Sequence, residues 1–502
     1  MKKTWLKFQI QEISLIFFIS LSIYSICAYG RLGRASQNNH FAYLAQSFLA
    51  GQSHLLTKPP HGNDWASYER LNLSFSAQKR LSHHLGRQVI ELKGIYLPKQ
   101  SSDHLQKHSP QVKHNFRTLK GELIKIHHHE VLKRSRLYYV SFPPLPALLM
   151  LPFVAIFGLA ASDVWFTLIF AALNVVIAYS SFKLILDNLS SNDRSLGGES
   201  NASPLNQPKQ SSKVNALWLA TSLCFGSAHL WCAVRGEVWF TALIIGVTCQ
   251  LLFFRWAWHL RRPLLAGLAY AAAFSTRASL VILALFAYAQ IFSIEAHINI
   301  KERIRKLVIF SIPPLCIGLC LLTYNYIRFE AWTEFGHSYL AGGQIGRIHE
   351  YGLFHWVFFK KNVIAAFALL PLLSITPPFF TYSWHGMSMF FSTPQVVFLA
   401  QRKARSPNSL KLLKNALVAC TVLIFLLLLF YQNTGWVQYS WRFGLDILPA
   451  LTLIFLIKRS SEYKLFRFMV LWGVLINLWG AMIFGRYSPY WSAIDLPKLF
   501  PH

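Results

Sequence analysis

The sequence predicts an all-α, polytopic transmembrane protein with a long hydrophilic first loop. Three observations carry that reading. Of the 502 residues, 54% are hydrophobic and only 14% are charged. Apolar runs recur from residue 143 to residue 484, more than one soluble core can absorb. A single hydrophilic stretch, Arg31 to Tyr139, interrupts them after the first run. The apolar segments are 10–29, 143–160, 163–186, 214–233, 238–258, 263–276, 279–294, 305–326, 361–382, 386–400, 412–431, 445–457 and 464–484. Several are too short to cross a core of about 30 Å as straight helices, so about eleven to thirteen crossings are expected.

The first segment follows Lys2, Lys3 and Lys7, and Cys27-Ala28-Tyr29-Gly30 is a poor cleavage site. It reads as a retained signal anchor, residues 1–30, with its N-terminus in the cytoplasm. Residues 31–140 form the large external loop. Its positive charge does not oppose that, because long loops translocate largely regardless of charge. Within it, Asn39 to Leu49 has helical apolar spacing and stops at Gly51. Residues 71–136 are polar and rich in Lys, Arg and His. The loop closes on Pro143, Pro144 and Pro146, which favour an extended lead into the next helix. A first transmembrane group, 141–326, a second external loop, 327–360, and a C-terminal transmembrane group, 361–502, follow. The polar linker 187–212 and the stretches Arg255–Arg262, Lys301–Lys306 and Arg402–Lys414 look cytoplasmic. Simple alternation would put 187–212 outside, so one segment near 143–186 need not cross.

The formal net charge of +29 is met better by topology and anionic headgroups than by nucleic acid. Cations also collect where phosphate is bound. All seven cysteines lie in or beside apolar segments, so the loop has no disulfide framework. His127-His128-His129-Glu130 lacks zinc-site spacing, and a divalent metal is possible without support from the sequence. No glycine-rich nucleotide loop is present.

Several groups in the apolar context carry chemistry. Arg235-Gly236-Glu237-Val238-Trp239 links two segments, as a capped turn or as a charged site. Arg277 stands in an apolar stretch, where a charge is costly unless it snorkels or is paired. Gln438, Arg442 and Asp446 are spaced by four, which predicts one helical face. Arg442 and Asp446 either pair with each other or serve a phosphate.

Taken together, Ser36-Gln37-Asn38-Asn39-His40-Phe41, Phe48 to Gln52, Phe142 to Pro146 and Phe157-Gly158 resemble the layout of the GT-C superfamily. So do Pro263 to Arg277, Tyr324-Asn325-Tyr326-Ile327-Arg328-Phe329 with Glu334-Phe335-Gly336, and Gly435 to Asp446. These are integral-membrane glycosyltransferases such as protein mannosyltransferases and lipid A aminoarabinose transferases. The resemblance implies a polyprenyl-phosphate sugar donor, a lipid, glycan or protein acceptor, and residence in the bacterial inner membrane. It implies inversion at the anomeric carbon, with Asn38, Asn39, Arg235, Arg277, Tyr324, Asn325, Arg328, Gln438, Arg442 and Asp446 around the substrate. The family's base is usually a carboxylate just after helix 1, where this chain has Asn38-Asn39-His40, and neutral amides cannot take a proton. Asp64, His40 and Glu237 are the remaining candidates. A transporter or flippase of lipid-linked intermediates, or a catalytically inactive relative, are the alternatives. Convergence of Asn39, His40, Arg277, Arg328 and Arg442 on one cavity would favour the enzyme.

Overall fold

The computed structural model describes residues 2–97, 113–195, 207–293, 299–340, 344–401, 410–487 and 490–492. The chain opens with α1 (Lys2–Cys27) and α2 (His40–Leu49), the short helix expected after the anchor. The rest of the first loop departs from an all-α fold. It forms β1 (Trp65–Leu73), α3 (Phe75–Leu85), β2 (Glu91–Leu97), β3 (Lys113–Thr118), β4 (Leu123–His127) and β5 (Val131–Val140). The five strands make one antiparallel sheet in the order β4-β3-β2-β1-β5. An antiparallel sheet needs only one apolar face. Here Leu71, Leu73, Leu92, Phe116, Ile124 and Ile126 supply it, and Ala77 and Leu81 of α3 close over them. Toward β4 the alternate positions include Lys125 and His127, while on the other face Ala66, Tyr68 and Tyr139 pack against Phe329, so the apolar residues are split between two faces and the stretch looks hydrophilic when read as a line. Helix α3 is bounded by local chemistry: Ser74 caps its start, and Gly86 ends it in the left-handed region.

The helical body comprises α4 (Leu145–Phe157), α5 (Asp163–Ser195), α6 (Gln207–Cys224), α7 (His229–Ala233), α8 (Glu237–Ala257), α9 (Pro263–Phe274), α10 (Ala284–Ser293) and α11 (Ile300–Phe329). After α12 (Gln344–Tyr351) and α13 (Phe359–Phe367) come β6 (Leu372–Leu373), β7 (Phe380–Ser383), α14 (Met389–Ser392), α15 (Lys411–Leu429), α16 (Leu448–Ile457) and α17 (Lys464–Ile483). Among the described residues, six helical stretches are long and apolar enough to cross a membrane: Ile10–Cys27, Asp163–Leu189, Glu237–Leu260, Ile300–Phe329, Lys411–Leu429 and Lys464–Ile483. By length and composition this is a helical integral membrane protein. Helix α8 is central, while α11 turns Ile312, Leu315 and Leu319 outward.

Several expected segments are not single helices: 214–233 divides into α6 and α7, 279–294 into a 3-10 turn and α10, and two more break further. No Asp, Glu, Lys or Arg occurs between Lys361 and Arg402, yet segments 361–382 and 386–400 break into α13, the β6–β7 hairpin, α14 and a 3-10 turn. Pro371, Pro377, Pro378 and Pro394 supply the breaks, since each lacks the N–H a helix interior requires.

Helix α4, one of the shorter apolar helices, lies in the segment near 143–186 that need not cross. The ring of Phe142, just before it, lies against His40 and Phe41. The carbonyl of Ala161, just after it, accepts from Asn39. Both ends of α4 therefore meet the start of α2, and α5 departs from the end of the body at which α4 began. Linker 187–212 lies partly outside the described residues, as does Arg402–Lys414.

Candidate functional site

The residues after α1 are held by backbone contacts rather than charge. Asn39 precedes α2 and donates its amide to Ala161 at 2.9 Å, leaving its own Oδ1 buried and unpaired. Asn38 accepts the Val238 N–H through its carbonyl at 3.0 Å, and its side chain lies 3.4 Å from Asn63 Nδ2. His40 is fully buried, its ring stacked on Trp65 at 3.7 Å. Its Nδ1 is 3.0 Å from the Asn38 carbonyl and its Nε2 3.0 Å from the Asn63 carbonyl. Burial pushes its pKa down to about 4, against the two carbonyls and the Asp64 charge that pull it up. His40 thus braces residue 38 against residue 63 and has neither ring nitrogen turned to an open space.

Asp64 comes next, at φ +55, a strained conformation for a residue with a side chain. Its Oδ2 accepts the Trp239 indole N–H at 2.7 Å, and its Oδ1 accepts the Gln344 amide at 2.6 Å. It lines a cleft enclosing about 580 Å³ of open space, its mouth included. Arg277 and Arg442 line the same cleft. Arg277 stands at the break between α9 and the 3-10 turn Ala278–Leu283. It pairs with Asp446, Nε lying 2.6 Å from Oδ1 and 2.9 Å from Oδ2, and Ser279 donates to the same carboxylate at 2.7 Å.

Arg442 is different. It is 4% exposed and has no carboxylate partner. Its Nη1 donates to the Val437 carbonyl at 3.1 Å, and its Nε is buried with no partner. The guanidinium carbon sits 5.1 Å from the Phe240 ring centre and 5.6 Å from that of Phe443. Burial lowers its pKa to about 10, so it remains charged near neutrality.

The expected helical face of Gln438, Arg442 and Asp446 is not formed. Residues 434–441 are irregular, and Arg442–Asp446 is a 3-10 turn. Gly435 adopts φ +99 against the Gln438 amide, leaving no room for a Cβ and breaking any helix there. Gln438 organises this loop, donating to the His385 and Thr434 carbonyls at 2.8 Å each and accepting the Arg442 N–H at 3.0 Å. Asp446 pairs with Arg277, not Arg442.

Glu237 and Arg235 pair with each other at 2.5 Å beside the cleft. Beneath them lies Asp163, 1% exposed, which the sequence reading passed over as the first residue of an apolar run. Its carboxylate accepts the backbone N–H of Ser36 at 2.8 Å and of Glu237 at 2.7 Å, and the Ser36 hydroxyl. Gly236 has φ +64, and a Cβ there would press on the Asp163 carboxylate. Asp163 therefore ties the first loop to the start of α8.

Tyr324, Asn325 and Arg328 lie apart from the cleft. Arg328 donates to the Val140 carbonyl and to Asn325 Oδ1, both at 2.8 Å, with its guanidinium 3.8 Å from the Tyr324 ring centre. Tyr68 donates to the Arg328 carbonyl at 2.8 Å. These residues are the joint between α11 and the sheet. Of the residues expected to converge, Arg277 and Arg442 reach the cleft, Asn39 and His40 brace its wall, and Arg328 does neither. Trp239, Gln344, His337 and Gln432 line it without having been singled out as site residues. Trp239 had one signal, its place in the charged 235–239 link. The others stand at the start of α12, at a 3-10 turn and in a loop, and their return to Asp64 depends on tertiary folding.

Chemically, the cleft holds both a carboxylate with lone pairs to spare and an under-bonded guanidinium. The first can accept a proton and the second an anion. Among the described residues, no cluster of three or more His, Cys, Asp or Glu side chains is placed to hold a metal ion. Neither a family model nor a curated protein matches the chain.

Proposed function

We propose that this protein transfers a sugar from a polyprenyl-phosphate donor to an acceptor hydroxyl at the external face of the membrane. The observation that carries the reading is that Asp64 and Arg442, whose buried Nε has no partner, line one cleft. The GT-C-like layout of the sequence points the same way. Asp64 takes the proton of the acceptor hydroxyl as that oxygen attacks the anomeric carbon with inversion. The bond from that carbon to the phosphate oxygen breaks, and the electron pair leaves with the phosphate. Arg442 neutralises the developing charge, with Arg277 beside it, the electrostatic part of the catalysis. The leaving group carries the driving force, so no nucleotide is consumed. The six long helices and the shorter apolar ones make the multi-pass frame, and the bacterial inner membrane is the compartment this reading implies.

The test uses the purified chain in lipid vesicles with radiolabelled polyprenyl-phosphate sugars and a membrane extract as acceptor source. Cleavage of a labelled donor by the wild type, abolished in Asp64→Asn, is expected. Intact donors throughout, or an Asp64→Asn variant at full rate, would overturn the reading. Label crossing the vesicle without bond cleavage would instead mark a transporter.

A further inference from the structure

The cleft contains more unmet hydrogen-bonding capacity than an anion alone would use. Gln432 is 2% exposed and lines the wall, yet its side-chain Oε1 has no partner. Its backbone is fully committed: its N–H donates to the Leu353 carbonyl at 2.8 Å, and its carbonyl accepts Lys361 Nζ at 2.9 Å. The backbone is therefore fixed, the side-chain amide is hydrogen-bonded to Tyr431, and its acceptor oxygen stays empty. His337 lines the same cleft, following Gly336 at φ +98, and its Nδ1 is also buried and unpaired. Burial lowers its pKa, which favours the neutral ring with one acceptor nitrogen. Buried polar groups in folded proteins are normally satisfied, so an acceptor left open in the wall of a cleft marks a place for a donor.

The pattern has a direction. Arg442 Nε is an unmet cationic donor, Gln432 Oε1 is an unmet acceptor, and His337 Nδ1 is an unmet nitrogen that donates or accepts according to tautomer. A bare phosphodiester is all acceptor and cannot answer Gln432. Hydroxyl groups both donate and accept, and answer the other two. The indole of Trp239 offers a flat apolar surface in the same cleft. We propose that Gln432 and His337 form a hydroxyl-binding subsite that holds the polyhydroxylated ring of the donor, next to an Arg442 subsite for its phosphate. This inference rests on the glycosyltransferase reading and assigns the sugar-recognising residues within it.

Equilibrium binding of tritiated farnesyl phosphate is compared with that of farnesyl-phosphoryl hexoses of gluco, manno and galacto configuration, using the purified full chain in detergent. The wild type should bind at least one hexose ester about tenfold or more tightly than the bare phosphate, since a site built for hydroxyls discriminates against ligands lacking them. Gln432→Leu should erase that increment while leaving bare-phosphate binding unchanged, which also reports that the variant is folded. Should Gln432→Leu lose bare-phosphate binding too, His337→Phe carries the same test. Equal wild-type affinity for bare and glycosylated ligands, or an increment that survives in a folded variant, overturns the subsite. A wild type that binds neither ligand overturns the glycosyltransferase reading itself.

Discussion

Trp239 donates its indole N–H to Asp64 at 2.7 Å, joining the first turn of α8 to the loop that enters β1. With Gln344 on the other oxygen, the bond fixes which lone pairs of the carboxylate face the cleft. Removing a general base typically costs about 10²- to 10⁴-fold. Asp64→Asn should lose that much donor cleavage while membrane insertion and melting temperature hold. Trp239→Phe keeps the ring but removes the bond. It should lower kcat about tenfold while the donor KM holds, a split that a purely packing role would not give.

Arg442 offers a planar fork, and lysine offers a point charge. Arg442→Ala should abolish donor turnover to within assay background, and Arg442→Lys should restore only part of it. Full activity in the alanine variant, measured at saturating donor, would remove Arg442 from the mechanism.

Arg277 depends on Asp446, whose side chain is 1% exposed. Removing one partner of a buried pair strands the other charge and costs about 3–5 kcal/mol. Asp446→Ala should therefore depress the melting temperature sharply, and adding Arg277→Met should recover part of the loss. Simple addition of the two single effects would show that the pair is not coupled.

His40 predicts a specific response to acid. Its folded pKa, about 4, lies below the ordinary 6.5, so the unfolded chain takes up the proton first as pH falls. Its stabilising contribution is complete above about 6.5, is lost between there and about 4, and amounts to about 3 kcal/mol. Melting curves at pH 7 and 4.5 should show a smaller acid-induced drop in His40→Gln than in the wild type. An identical drop in both would assign the acid sensitivity elsewhere.

Glu12, low in α1, is paired with Lys183 of α5 at 3.4 Å and with Lys213 of α6 at 3.1 Å. Gly86 lies in the sheet domain that follows the other end of α1. Reporter fusions at Gly86 and after Lys213 should thus report opposite sides of the membrane. The same side for both would reverse the assignment of the cleft.

Much of the helical frame was legible because long apolar runs have one outcome in a membrane. Helix α2 was legible too, from Phe41, Leu44, Ala45 and Phe48 on one face and Gly51 at its stop. The sheet was not, because Ile124 and Ile126 alternate with Leu123, Lys125 and His127, and strands this short leave a weak signal in a basic, histidine-rich stretch. Asp64, Arg277 and Arg442 could be named from sequence as charges in unusual surroundings. Their partners could not. The spacing of Arg442 and Asp446 suggested a pair, whereas Asp446 reaches back 169 residues to Arg277. Asp163 was hidden because a carboxylate at the start of an apolar helix is ordinary helix chemistry until its partners, Ser36 and the Glu237 N–H, are known.

The register that pairs Trp65 with Val140 sets Asp64 and Ser141 at the two ends of one rung. The described strands between them leave the cleft and return to it, so the sheet domain is a detour anchored at both ends beside Asp64, with Tyr68 and Leu119 also touching the body. Gly86, exposed where α3 ends, stands on the face of the sheet turned away from Phe329 and Leu340. A tag or fluorophore placed there would ride on the molecule clear of the carboxylate, which makes it the natural handle for capturing or watching the protein at work.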